Sequence, residues 1–162
     1  MKGSEHADAV LNRVLAERPW IAEEARSAGK CRYARIYEYR KNVSLQVLYT
    51  PAKNGNVESL EVGLAFDDPS RDENTSNLAA YREQLDDNEA KLGLKLRDGD
   101  GGVYHYLTRS FPIISNPNPN DTYEQAAKLC LAILNLVLGG PAVREGYRMR
   151  RELYEKQHRS VK

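Results

Sequence analysis

The chain has 162 residues, 41% of them hydrophobic and 29% charged, with 24 Lys and Arg against 23 Asp and Glu. That length suits one domain with a helical extension, and that balance excludes a disordered polyelectrolyte. A formal charge of +1 implies no bulk electrostatic partner, and two cysteines exclude both a disulfide-dense scaffold and a zinc site built from Cys alone.

Val10, Leu11, Val14 and Leu15 recur at helical spacing and predict a first helix over 4–17, with Ser4 as its N-cap. Pro19 interrupts or restarts it; Trp20, Ile21 and Ala25 continue an apolar face toward Gly29, a helix stop. The pattern then changes to a period of two, and 33–40, 43–50 and 57–66 read as strands. Val43, Leu45, Val47 and Tyr49 share one face of the second run, and Leu60, Val62, Leu64 and Phe66 one face of the third. Lys41-Asn42 fits a tight turn and Asn54-Gly55 a longer hairpin loop, so the three runs form an antiparallel meander.

Residues 67–77 read as an acidic loop and 78–92 as a second amphipathic helix, ended by Gly93. A further hairpin is expected from 94–97 and 103–111 around the Asp-Gly-Asp-Gly-Gly run. Asn116-Pro117-Asn118-Pro119-Asn120 excludes helix and ladder alike. Asp121-Thr122-Tyr123-Glu124 resembles a capping box and opens the most apolar helix, 123–138. Gly139-Gly140-Pro141 breaks that helix before a last, basic one over 142–157. The expected fold is α+β, ordered α-β-β-β-α-β-β-α-α, with about five antiparallel strands and helices packed on one face. Residues 1–140 form the domain and 141–162 the basic C-terminal extension. Leu129, Ile133, Leu134 and Val137 are expected to be buried against Leu45, Val47, Leu60, Val62 and Leu64.

The element order over 4–138 resembles the type III secretion chaperone-like fold. The stretch Glu83-Gln84-Leu85-Asp86-Asp87-Asn88-Glu89-Ala90-Lys91-Leu92-Gly93-Leu94, between hairpins and an apolar helix, is similar to uncharacterised domains found beside bacterial restriction and defence proteins. Both resemblances imply a binding module rather than a catalyst.

Several chemistries lack their residues. Neither Gly-x-Gly-x-x-Gly nor Gly-x-x-x-x-Gly-Lys-Ser/Thr occurs, and there is no Gly-x-Ser-x-Gly elbow. His6, His105, His158, Cys31 and Cys130 are dispersed, so no metal site and no cofactor is expected. Glu89-Ala90-Lys91 matches the Glu-x-Lys element of a metal-dependent nuclease fold, but on a helix residues two apart point in different directions. Cys130 fits a small core residue, while Lys30 and Arg32 beside Cys31 would favour its thiolate.

Charge is segregated despite its balance. Residues 30–53 hold six Lys or Arg against one Glu, 67–89 hold eight acids against two Arg, and 144–162 hold seven Lys or Arg against three Glu. Tyr33, Tyr37 and Tyr39 interleave with Arg32, Arg35, Arg40 and Lys41, a pattern by which some sheets hold single-stranded nucleic acid. With Arg144, Arg148 and Arg151 of the last helix these are the candidate residues for nucleic acid or a protein partner. No targeting segment or span of the ~18 apolar residues a membrane needs is visible, so a cytoplasmic protein without a membrane partner is expected. The leading expectation is a non-enzymatic binding or adaptor protein, chaperone-like or defence-associated, pairing with another protein as a homodimer. The alternatives are a nucleic-acid binder using the Tyr and Arg sheet face and basic helix, and a metal-dependent nuclease with a dispersed site.

Overall fold

The computed structural model describes residues 3–19, 25–35, 43–53, 55, 57–113, 118–137 and 141–159. In chain order these form α1 (Gly3–Glu17), β1 (Ala25–Ala28), β2 (Cys31–Arg35), β3 (Val43–Thr50), β4 (Ser59–Phe66), α2 (Arg71–Leu85) and the short α3 (Asn88–Lys91). A hairpin of β5 (Lys95–Gly99) and β6 (Tyr104–Pro112) follows, then α4 (Asn120–Val137) and α5 (Pro141–Arg159). The strands make one antiparallel sheet of six, ordered β1-β2-β3-β4-β6-β5. The fold is therefore α+β.

Period-two alternation sorts the side chains of β3, β4 and β6 onto two faces. Cross-strand register aligns Leu45 with Leu64 and Leu107, Val47 with Val62, and Tyr49 with Leu60 and Phe111. These rows are buried, apart from the half-buried Tyr49, beneath α1, α2 and α4. The amphipathic α1 contributes Ala7, Val10, Leu11 and Val14, while α2 contributes Leu78, Tyr81 and Leu85. The apolar stripe of α4 supplies Leu129, Cys130, Ile133, Leu134 and Val137, so the core expected from spacing is present. Each fully buried aliphatic side chain contributes roughly 1.5–3 kcal/mol. Among the polar groups buried in this layer, His6 of α1 lies 2.5 Å from the Tyr123 hydroxyl of α4 through Nδ1 and stacks on Tyr49 of β3 at 5.5 Å, tying three elements together.

The structure departs from the sequence reading most in two places; in addition, the helix expected to run to Gly93 stops at Leu85, with Asp86 at φ +49°, before the short α3. The apolar face continued through Ala25 toward Gly29 is not helical there: Ala25–Ala28 is β1, paired with β2 through Ala28 and Cys31. Gly29, expected to stop a helix, turns this hairpin instead with φ +57°, a value glycine reaches without steric cost. This strand brings the sheet to six rather than about five. Second, the acidic stretch 67–77 is largely helix. Ser70 caps α2 by accepting the Glu73 N–H at 3.3 Å, and Asp72 and Glu73 sit favourably in the first turn. Asn74, which reads as a loop former, is instead fully buried in α2. Its amide accepts from Asp68 N–H and donates to the carbonyls of Asp68 and Val103, at 2.7–2.8 Å. The turn expected at Lys41-Asn42 lies outside the described residues, as do Gly139 and Gly140.

Candidate functional site

The other face of the sheet has a different chemistry. Its rows align Ser44 with Ala65, Tyr106 and Arg97; Gln46 with Gly63, Thr108 and Lys95; and Leu48 with Glu61 and Ser110. Near β3 this face is buried yet polar: Ser44 is 1% and Gln46 5% exposed, and among the described residues Ser44 Oγ and Gln46 Nε2 have no hydrogen-bond partner. Toward β5 it opens into a depression of about 600 Å³ lined by residues of β3, β4, β5 and β6 together with Gly93. The depression exists because the strands are unequal. β5 begins at Lys95, opposite Thr108, while β6 runs on to Pro112 beside β4, leaving a notch in the sheet edge.

One wall of the notch is organised around Glu61. Its carboxylate Oε1 accepts from Arg97 Nε at 3.0 Å, from Arg97 Nη2 at 2.8 Å and from the Thr108 hydroxyl at 2.8 Å. The Glu61 side chain is only 16% exposed, so this pair is better shielded than an ordinary surface ion pair. The Arg97 guanidinium also lies over the Tyr106 ring, 4.2 Å from its centroid. Burial pushes the Tyr106 phenol above its usual range, with Arg97 opposing, so Tyr106 serves here as a neutral platform. Lys95 and Arg109 complete the basic lining, and among the described residues neither is in an ion pair. Thr50, Ser59 and Ser110 add hydroxyls.

The candidate residues taken from sequence do not assemble at this notch. Arg32 pairs with Asp8 of α1 on the helix-covered side, and its side chain is 14% exposed. Tyr33 and Arg35 lie on β2 opposite Gln46 and Ser44. Tyr37, Tyr39, Arg40 and Lys41 fall outside the described residues. Arg144, Arg148 and Arg151 all lie on α5, where Arg148 pairs with Glu152 at 2.6 Å and Arg151 with Glu155 at 3.2 Å. Lys95, Arg97 and Arg109 were missed, although the alternation of Lys95 and Arg97 was readable. Their meeting with Glu61 and Ser59 depends on strand register.

α5 is the second surface of interest. Among the described residues it makes no extensive contact with any other helix or strand. Met149 and Leu153, four residues apart, are 58% and 54% exposed. The helix is supported from within by the i,i+4 ion pairs Arg148–Glu152 and Arg151–Glu155 and by Tyr154 stacked on His158 at 3.8 Å. Such pairs contribute roughly 0.2–0.5 kcal/mol each, which leaves an isolated helix marginal.

Other chemistry-bearing groups are committed to structure. Glu89 and Lys91 lie on α3, and both Glu89 carboxylate oxygens accept from Arg82, at 2.7 and 3.0 Å. Thr75, His105 and Asp98 form a hydroxyl–imidazole–carboxylate chain, with Thr75 Oγ1 to Nε2 at 3.1 Å and Nδ1 to Asp98 at 2.7 Å. The Thr75 hydroxyl, however, donates to the Arg71 carbonyl at 3.0 Å. With its proton on that carbonyl, the hydroxyl does not donate to the imidazole, as activating a nucleophile requires. The chain tethers α2 to the β5–β6 hairpin. Burial pushes the Cys31 thiol up to about 11, overriding the neighbouring Arg32, so the thiolate favoured by its sequence context does not form. Cys130, fully buried in α4, is raised to about 12. Among the described residues no group of three His, Cys, Asp or Glu is placed to hold a metal ion. No described helix is long and apolar enough to cross a membrane. Compared with known protein families, curated proteins and solved structures, the chain matches none.

Proposed function

We propose that this chain is a small non-enzymatic binding protein that engages a second polypeptide through α5, with another copy of itself as the first partner. The observation that carries the reading is the pair Met149 and Leu153, more than half exposed on a 19-residue helix that makes no extensive contact with the described residues of the domain. Burying two such side chains against a partner contributes several kcal/mol, at roughly 1.5–3 kcal/mol each. A second copy supplies complementary charge: Asp72, Glu73, Glu83, Asp86 and Asp87 are exposed on and just after α2, opposite in sign to the arginines of α5. Two-fold pairing would use each patch twice. A protein partner is favoured over nucleic acid because Arg32, Arg148 and Arg151 are each held by a carboxylate. A chaperone-like or defence-associated adaptor is the concrete form of this reading.

Light scattering on the full chain should give twice the 18.3 kDa protomer mass, and Met149→Asp with Leu153→Asp should give a single protomer. The melting temperature of the remaining domain should stay within a few degrees. A full chain that is monomeric at high concentration, or a double variant that keeps the doubled mass, would overturn the proposal.

A further inference from the structure

The notch at the β5–β6 edge is built differently from the rest of the surface, and we propose that it binds a phosphate group carried as a small phosphate monoester. Its charge is the first argument. Among the described residues Lys95, Arg97 and Arg109 line it with Glu61 as the only carboxylate, so this lining carries a net charge of +2. A phosphate monoester carries about −1.5 to −2 at neutral pH. Glu61 does not compete for the ligand's cations, because Arg97 and Thr108 already occupy its Oε1. It holds Arg97 in place on the Tyr106 ring, while Lys95 and Arg109 bring charge that no described carboxylate holds, Arg109 from the covered side, where its guanidinium lies 4.6 Å from the Phe111 centroid.

Donor density is the second argument. Thr50, Ser59 and Ser110 present hydroxyls to the same space. The backbone adds to them. Ile113 N–H donates to Glu58 O on the β4 side of the strand, at 2.9 Å. Alternation along β6 then turns the Ser110 N–H to the opposite side, which β5, beginning at Lys95 opposite Thr108, does not reach. A tetrahedral dianion with several acceptor oxygens matches a cluster of ammonium, guanidinium, hydroxyl and amide donors, whereas a carboxylate would be satisfied by one arginine. A volume of about 600 Å³ also leaves room for the organic part of a monoester, within the usual range of small-molecule sites. Among the described residues the lining holds no aromatic residue and one exposed apolar one, Leu96, so recognition rests on the phosphate rather than on stacked bases.

The test is a titration of isotope-labelled full-length protein with inorganic phosphate and with O-phosphoserine, followed by amide shifts, at ionic strength matched with chloride. Saturable shifts at Ser110, Lys95 and Arg109 are expected with O-phosphoserine and, more weakly, with inorganic phosphate; saturation by inorganic phosphate alone would overturn the monoester assignment. Lys95→Gln and Arg109→Gln should each weaken binding about tenfold without moving the melting temperature. Binding of O-phosphoserine should also weaken below pH 6, as the phosphate dianion takes up a proton and becomes a monoanion. Absence of saturation with both probes, or affinity unchanged in both variants, would overturn the proposal. So would a single-stranded oligonucleotide that binds far tighter than either probe and shifts residues well beyond the notch.

Discussion

The two faces of β4 and β6 come from alternate residues of the same strands and have opposite characters. One carries Leu60, Val62, Leu64 and Phe66 with Leu107 and Phe111, sealed by helices. The other carries Glu61, Gly63 and Ala65 with Tyr106, Thr108 and Ser110, and opens into the basic notch. The first face supplies the burial that makes the fold stable. The second tolerates ionic and small residues because that burial has already fixed the strands. Function is therefore expected where the sheet has least need of its side chains for stability.

The largest effect should come from the covered face. Leu134 is 3% exposed in α4, and Leu134→Ala should cost about 2–5 kcal/mol in denaturant unfolding. A cost below about 1 kcal/mol would mean that α4 is not a core element.

The next effect sharpens the contrast, because on the second face it arises from a backbone contact and not from burial. A Cβ on Gly63 would meet the Leu107 carbonyl oxygen at 2.3 Å. The obstacle is backbone of the neighbouring strand, so it cannot swing aside as a side chain could. Gly63→Ala should cost about 1–3 kcal/mol and shift amide signals on both sides of the β4–β6 ladder. Replacing the neighbouring Ser110 by Ala should do neither.

The smallest effect uses the two thiols, one on each side of the sheet. Cys31 follows the register of Leu48 and Glu61, and Cys130 lies in the core. With folded values of about 11 and about 12 against an ordinary 9.0, the folded state holds both protons more tightly than the unfolded state. These groups therefore stabilise the fold below pH 9, and that contribution fades as pH rises through the folded values. Thiol labelling at pH 8 should be slow at Cys31 and slower still at Cys130. Rapid labelling of Cys31 at that pH would show that Arg32 outweighs burial after all.

Much of the architecture was legible in local pattern. The apolar stripe of 123–138 and the alternation of 43–50 and 57–66 needed only their own periods to be read, because burial on one side imposes those periods on the sequence. β1 was not legible, since Ala25–Ala28 is too short and too weakly patterned to announce a strand, and its pairing with β2 decides its state. Asn74 shows the same limit within a helix. Its residue type favours loops, yet two carbonyls and an N–H assembled by the fold make its burial favourable.

The candidate sites divide the same way. Sequence alone determined the segregation of charge and the amphipathic, basic character of α5, because both are properties of consecutive residues. It could not determine that Arg32 faces Asp8, or that Lys95, Arg97 and Arg109 meet Glu61 in one notch. Glu61 and Arg97 are 36 residues apart, and a shift of one residue in strand register would turn every second side chain to the other face. Register is set by the packing of the covered face, so the tertiary structure alone decided which charges share the notch.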